Sequence, residues 1–338
     1  MRTVTRLVLA AVATAVSAGS VRAQRQTAEQ FYLPGAFNWS LLRRYPDAAR
    51  LFNAFDYGHA VLYEALYTRP DSAGATERLA REYRFLTEDL LRRPPRFAVA
   101  EEAVAPRYAK LAWPAMLMFD WAHVLHRQIY DIYADSRLSD STRIALVERV
   151  TDYYLSRRDI AFAPVPKDMA LMDEQHFSQV FRRRHATFNG LIWAYHWLQV
   201  GLYEPFLLGG TEAERRAGVA AAVARFWEML ADPPRSMPRV MPMTSAIAPT
   251  FSARHPRAAV IFDNLHMVHD IISDILASER VPAAEKRRAI DAVLAEFRNP
   301  STNVISMEHW RMMADHMGGL DAMGGPVPRA DPPPPRGR

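Results

Sequence analysis

The chain has 338 residues, of which 49% are hydrophobic and 23% charged, with a formal net charge of +5. It contains no cysteine, which excludes disulfides and thiolate-held zinc or iron–sulfur sites, so any metal has to be bound by His, Asp, Glu, Tyr or Met. The basic residues are scattered, and a tight run such as residues 182–184 has no interleaved aromatics, so we expect no nucleic-acid partner.

The first 23 residues have the form of a secretory signal peptide. Arg2 and Arg6 precede an apolar run over residues 7–16, and residues 21–23 form a small-residue cleavage site before Gln24. No later stretch reaches the ~18 consecutive apolar residues that a membrane helix needs. We therefore expect a periplasmic or secreted mature chain without an integral membrane span.

The rest of the chain is predicted to be all-α, because apolar residues recur at three- and four-residue spacing and no convincing period-two run is present. Four helices are predicted in each half, over residues 51–67, 75–91, 114–134, 142–154, 188–207, 212–230, 257–277 and 283–297. Ser139 is a candidate N-cap for the fourth helix. The Pro-rich joins over residues 92–106 and 232–249 cannot continue a helix and are expected to be extended.

The second half of the chain repeats the first, and a histidine-bearing helix is the best-preserved part. Two matching motifs lie 143 positions apart, Asp120-x-x-His123-x-x-His126 and Asp263-x-x-His266-x-x-His269. Glu64 and Glu204 match at an offset of 140. We predict an internally duplicated helical bundle with two pseudosymmetric halves, residues 24–170 and 171–317, that share one core. The Pro/Gly-rich tail over residues 318–338 is expected to be disordered.

The matched polar residues occur on apolar helices in an order typical of a metal site. That order is Glu64, Asp120 with His123, Glu204, and Asp263 with His266. The i, i+3 spacing places a carboxylate and an imidazole on one helix face, close enough to reach one ion. In order and type the set resembles the ferritin-like di-iron carboxylate proteins, in which two helices give one carboxylate each and two others give a carboxylate-x-x-His motif. The resemblance implies a dimetal site with iron as the favoured metal.

The set also departs from that family. Asp replaces Glu in both motifs, His126 and His269 are additional, and a further helix separates each single-Glu helix from its motif helix. Asp56, His59 and His196 precede the glutamates by a turn or two and are further candidate ligands.

Other interpretations stay open. The aspartates could cap backbone groups and the histidines could be hydrogen-bonded core residues, as in a structural polar network. Copper could be bound by the Met/His segments over residues 237–243 and 307–323. Haem could be bound between His123 and His266. Either group would suit a non-catalytic accessory protein or a subunit with a protein partner. A helical-toroid carbohydrate enzyme is a third reading. The hypothesis that we favour is an exported His/carboxylate metalloprotein that activates O₂ or peroxide on a substrate that the sequence does not indicate.

Overall fold

Helices form the whole framework of the described chain. The computed structural model describes residues 28–68 and 72–329, and its only β-type pairing within those ranges is an isolated bridge between Lys167 and Val304. The all-α prediction is confirmed. No helix in these ranges is long and apolar enough to cross a membrane. The predicted signal peptide and residues 330–338 lie outside the described residues.

All eight predicted helices are present, although the one expected over residues 188–207 is divided at Leu202 into two helices. The long helices are α1 (Pro46–Thr68), α2 (Ser72–Arg84), α3 (Pro106–Ala134), α4 (Asp140–Ser156), α5 (Ala186–Gly201), α6 (Glu212–Met229), α7 (Pro256–Ala277), α8 (Lys286–Arg298) and α9 (Met307–His316), of which α9 is not predicted. Shorter helical segments are Ala28–Phe31, Ser40–Arg44, Phe85–Leu90, Glu101–Val104, Ala170–Asp173, Val180–Arg184, Tyr203–Leu208, Thr244–Ile247, Pro249–Arg254 and Gly319–Ala322.

Local chemistry explains several helix boundaries. The Ser139 hydroxyl accepts a hydrogen bond from the Thr142 N–H at 3.2 Å, which confirms the predicted N-cap of α4. Helix α3 begins at Pro106, earlier than predicted, but its helical geometry is interrupted at Ala112, where φ is −135° and ψ is 47°. The interruption lies two residues before Pro114, whose ring and missing N–H disfavour a regular preceding turn.

The helices α1, α3, α5 and α7 form an inner layer. Every residue over 188–201 in α5 and over 258–276 in α7 is buried, as expected of a helix surrounded by protein. Helix α1 packs against α3, α5 and α7, and each of α2, α4, α6 and α8 packs on the inner helix that precedes it in the chain. Inner helices of this kind can hold polar side chains away from solvent.

Matched aspartates of the two halves make matched backbone contacts. Asp131 on α3 accepts a hydrogen bond from the Trp39 N–H at 2.6 Å, and Asp274 on α7 accepts one from the Gln179 N–H at 2.7 Å. Trp39 and Gln179 both have left-handed backbone conformations, with φ of 71° and 64°. These contacts agree with the proposed duplication, which stays a prediction from the sequence.

Two connecting segments differ from their predicted form. Each Pro-rich join contains a short helix, Glu101–Val104 in the first and Thr244–Ile247 in the second. The expected disorder from Gly318 onward does not hold for the described part of the tail. Met323 is fully buried and Trp197 Nε1 donates to the Gly325 carbonyl at 2.8 Å, because the apolar end of this segment packs beside α5.

Candidate metal centre

Buried histidines meet where the four inner helices pack together. The contributing residues are His59 on α1, His123 and His126 on α3, His196 on α5, and His266 and His269 on α7. Their exposed fractions are all 0–2%. The rings pack directly on one another, with centroids 4.0 Å apart for His196 and His266 and 4.1 Å apart for His59 and His269. The i, i+3 spacing on α3 and α7 explains why both histidines of each motif face the same interior.

Three of these histidines have the spacing of metal ligands. His59, His196 and His269 each offer one ring nitrogen, and the three atoms lie within 4.8 Å of one another. His196 Nε2 is 3.1 Å from His59 Nε2 and 3.3 Å from His269 Nδ1. Nitrogens bound tetrahedrally to one ion with bonds of about 2.0–2.1 Å lie about 3.3 Å apart. The two measured separations therefore suit a shared ion.

Hydrogen bonding between the rings accounts for only one of the two close approaches to His196 Nε2. Each nitrogen of a neutral imidazole carries either one hydrogen or one lone pair, so His196 Nε2 can complete a hydrogen bond with only one of its two neighbours. His59 Nδ1 donates to the Phe55 carbonyl at 3.2 Å, which leaves the lone pair on Nε2, as is usual for a metal-bound histidine. Within the described residues, His196 Nδ1 and His269 Nε2 have no hydrogen-bond partner.

The rings are held in their neutral form. Burial, with added repulsion from His123, lowers the pKa of His59 to about 3. Burial also places the pKa values of His196 and His269 well below the usual value, with neighbouring histidines adding to the effect. Neutral imidazoles keep their lone pairs available for a metal ion at neutral pH.

A second group of ligand-type residues adjoins the first. Asp56, Glu101 and His123 each offer one donor atom, again within 4.8 Å of one another. Asp56 Oδ1 lies 3.3 Å from His123 Nδ1, and the Arg127 guanidinium lies 2.5 Å from Asp56 Oδ2. The rings of His123 and His269 are 5.9 Å apart between centroids, so the two groups are neighbours.

Buried carboxyl groups raise one another's pKa in this region. Burial, followed by repulsion from Asp120 and Asp56, raises the pKa of Glu101 well above its usual value. Burial raises the pKa of Asp120 to about 7, and the charge of Asp56 adds to the rise. A nearby cation would reverse this effect, because it favours the ionised carboxylates.

The two predicted glutamates have other roles. Glu64 Oε2 accepts hydrogen bonds from the backbone N–H groups of Arg107 and Tyr108 at 3.0 and 2.9 Å. Glu204 Oε1 accepts one from the Phe251 N–H at 3.0 Å. These carboxylates satisfy free N–H groups at the starts of α3 and Pro249–Arg254. Neither belongs to the two ligand groups found in the described chain.

Asp263 also has a capping role. Its carboxylate accepts hydrogen bonds from the Thr244 N–H at 2.8 Å, the Thr244 hydroxyl at 2.6 Å and Trp310 Nε1 at 2.8 Å. The structural alternative considered for the repeated aspartates therefore describes Asp263. His126 and His266 stay close to the centre, since His126 Nδ1 lies 2.8 Å from the Tyr203 hydroxyl and His266 packs on His196.

The sequence reasoning missed Glu101 and gave secondary importance to His59 and His196. Asp56 and His59 have the same i, i+3 spacing as the repeated motifs, so the sequence contained a signal for them. Glu101 lies in a join expected to be extended, and its match in the repeat is Thr244, 143 positions later. A comparison that looks for similar residues in the two halves therefore does not select Glu101.

No family model matches this sequence, and comparison with curated proteins and with solved structures found no similar protein. The functional assignment therefore depends on the geometry of the two ligand groups.

Proposed function

We propose that this chain is an exported metalloprotein that binds an ion through His59, His196 and His269 and uses it in oxidative chemistry on O₂ or peroxide. The observation that carries the proposal is the convergence of three buried imidazole nitrogens at 3.1 and 3.3 Å around His196 Nε2. Three protein ligands leave a coordination position open, as in catalytic sites. Imidazole suits iron, copper, nickel and zinc, and the first two would supply one-electron redox chemistry when bound.

Two buried tyrosines support the oxidative interpretation. The Tyr203 hydroxyl is 2.8 Å from His126 Nδ1, and the rings of Tyr203 and Tyr130 lie 4.7 Å apart between centroids. A phenol that is hydrogen-bonded to an imidazole can transfer its proton as it loses an electron. Tyr203 is thus an oxidisable side chain connected to the proposed centre through His126 and His266, whose rings are 6.2 Å apart between centroids.

The alternative metal groups have less support. A haem between His123 and His266 would need a wide planar cavity between them, but side chains fill this region: the His266 ring packs on His196 at 4.0 Å, and the His269 ring lies 5.9 Å from His123 and 6.4 Å from His266 between centroids. The methionines over residues 237–243 are 1–4% exposed and belong to the hydrophobic core, so packing explains them without copper.

A second candidate is a non-catalytic metal-binding or accessory protein. The ligands His59, His196 and His269 are only 0–1% exposed, which favours an ion that is retained rather than one that meets a bulky substrate.

Metal analysis of three proteins tests the proposal. The full-length chain, His196→Leu and Tyr195→Phe are purified without chelators and measured by mass spectrometry, optical spectroscopy and electron paramagnetic resonance. Tyr195 is a matched control, because it neighbours His196 on α5 and its buried hydroxyl has no hydrogen-bond partner in the described ranges. We expect near-stoichiometric iron or copper in the wild type and in Tyr195→Phe, and its loss in His196→Leu.

Absence of metal after reconstitution, or an unchanged content in His196→Leu, would contradict the proposal. Peroxide-dependent dye oxidation by the loaded protein separates the two candidates. Turnover that disappears in His196→Leu supports an oxidoreductase, whereas a loaded but inert protein supports the non-catalytic function.

A further inference from the structure

A second position for a cation lies beside the three histidines. Its donors, Asp56, Glu101 and His123, come from α1, the short helix Glu101–Val104 and α3. All three are buried, with exposed fractions of 5%, 2% and 2%. Three chain segments that are distant in sequence thus present two carboxylates and an imidazole to one interior point.

Glu101 is the strongest reason to expect a ligand there. Neither of its carboxyl oxygens has a hydrogen-bond partner among the described residues, and the same holds for both ring nitrogens of His123. A buried carboxyl group without a partner is costly, and buried charges are normally paired or coordinate metals. A cation between these donors would satisfy Glu101 and His123 together.

The local charges leave room for a cation. The Arg127 guanidinium balances Asp56, which it contacts at 2.5 Å, and it also donates to Asn53. The ion pairs of this group are made by Asp56, and Glu101 has none with any Lys, Arg or His of the described chain at 4.0 Å or less. An ionised Glu101 would therefore need a bound cation as its counter-charge.

The two halves of the chain differ in donor type at matched positions. Asp56 matches His196 at an offset of 140, and Glu101 matches Thr244 at 143. In the second half, the Thr244 hydroxyl donates a hydrogen bond to Asp263 at 2.6 Å. Glu101, at the matched position in the first half, has no proton to donate when it is ionised. The first half thus offers a carboxylate at both positions, where the second half has an imidazole at one and a hydroxyl at the other.

We propose that Asp56, Glu101 and His123 bind a second and harder cation, such as Mn²⁺ or Fe²⁺, so that the centre is dinuclear with unlike donor sets. Carboxylate oxygens suit such ions, whereas three imidazoles suit zinc, copper or iron. This inference rests on the proposed function, because the second ion would lie beside the one bound by the three histidines.

Sequential metal titration tests the inference. Metal-free protein is loaded with Zn²⁺ and then titrated with Mn²⁺, whose free signal is followed by electron paramagnetic resonance. We expect the wild type to bind one Zn²⁺ and one Mn²⁺. In Glu101→Gln, the Zn²⁺ affinity should be unchanged and the Mn²⁺ affinity should fall by more than about tenfold. Glu102→Gln is the matched control, since Glu102 is the exposed neighbour of Glu101 and should behave as the wild type.

His123→Leu gives an independent variant with the same expected loss of Mn²⁺, and circular dichroism verifies that each variant is folded. Unchanged Mn²⁺ binding in folded Glu101→Gln, or a wild type that binds Zn²⁺ but no Mn²⁺, would overturn the second site and leave the proposed function standing. A wild type that fails to bind Zn²⁺ at all would instead count against the histidine site itself.

Discussion

Replacement of His196 by leucine distinguishes a metal centre from a structural histidine network through its effect on stability. Leucine is close to histidine in volume and removes two polar atoms, the unpartnered Nδ1 and the Nε2 shared between two neighbours. An unpaired buried polar atom costs about 1–3 kcal/mol. His196→Leu removes one such atom, Nδ1, and leaves another unpaired, the former partner of Nε2 on His59 or His269. The two effects oppose each other, so the unfolding free energy of the metal-free protein should change by no more than about 2 kcal/mol.

The same substitution should be costly when metal is present. A ligand that binds only the folded state stabilises it by about 2.7 kcal/mol at a free concentration of 100 times the dissociation constant. The wild type should gain this amount and His196→Leu should not. The two proteins are therefore expected to have similar stability in chelator and to differ by about 2.7 kcal/mol in saturating metal.

Urea unfolding followed by circular dichroism, with EDTA or with added Zn²⁺, measures both quantities. Tyr195→Phe removes a comparable unpartnered polar atom and should retain the full gain from metal. A loss of more than about 3 kcal/mol for His196→Leu in EDTA, with no response of the wild type to Zn²⁺, would refute the reasoning. That result would mean that the histidines are a hydrogen-bonded core network.

Two further predictions concern groups near the centre. Asp263→Ala should lower the unfolding free energy by roughly 3–9 kcal/mol, because it leaves three buried donors of Thr244 and Trp310 unpaired at about 1–3 kcal/mol each. The metal content should stay unchanged. Urea unfolding and metal analysis check both results, and loss of metal from a folded variant would make Asp263 a ligand. Burial, with repulsion from His59 and His123, holds the pKa of His266 in the folded protein well below 6.5. In the unfolded chain the same histidine takes up a proton near pH 6.5. The folded protein therefore loses stability relative to the unfolded chain as the pH falls from about 7.5 to about 5.5. In metal-free protein His266→Leu should remove about 1 kcal/mol of that loss, measured by urea unfolding at both pH values, and an unchanged pH dependence would contradict the assignment.

The helices could be predicted from the sequence because their determinants are local. Apolar periodicity located α1 to α8, and Ser139 marked the start of α4. The short helices in the Pro-rich joins escaped prediction, since four residues are too few to show a period and their positions depend on contacts with the inner helices.

The candidate site could be predicted only in part, because residue type does not reveal which atoms a buried carboxylate meets. Comparison of the two predicted halves identified the motif histidines correctly as interior residues. It gave equal weight to Glu64, Glu204 and Asp263 as metal ligands. In the structure these three carboxylates accept hydrogen bonds from backbone and side-chain donors at helix ends. Glu101 has no carboxylate counterpart in the second half and became visible only through its burial.

The three candidate histidine ligands come from widely separated parts of the chain. His59 and His196 are 137 residues apart, and His196 and His269 are 73 apart. No short stretch of unfolded chain can reproduce such a site, so an ion bound there would stabilise the folded arrangement of the inner helices. Such an ion would link α1 in the first half of the chain to α5 and α7 in the second. Because the three imidazoles are buried, it would enter or leave the folded protein only when neighbouring side chains or helices move apart.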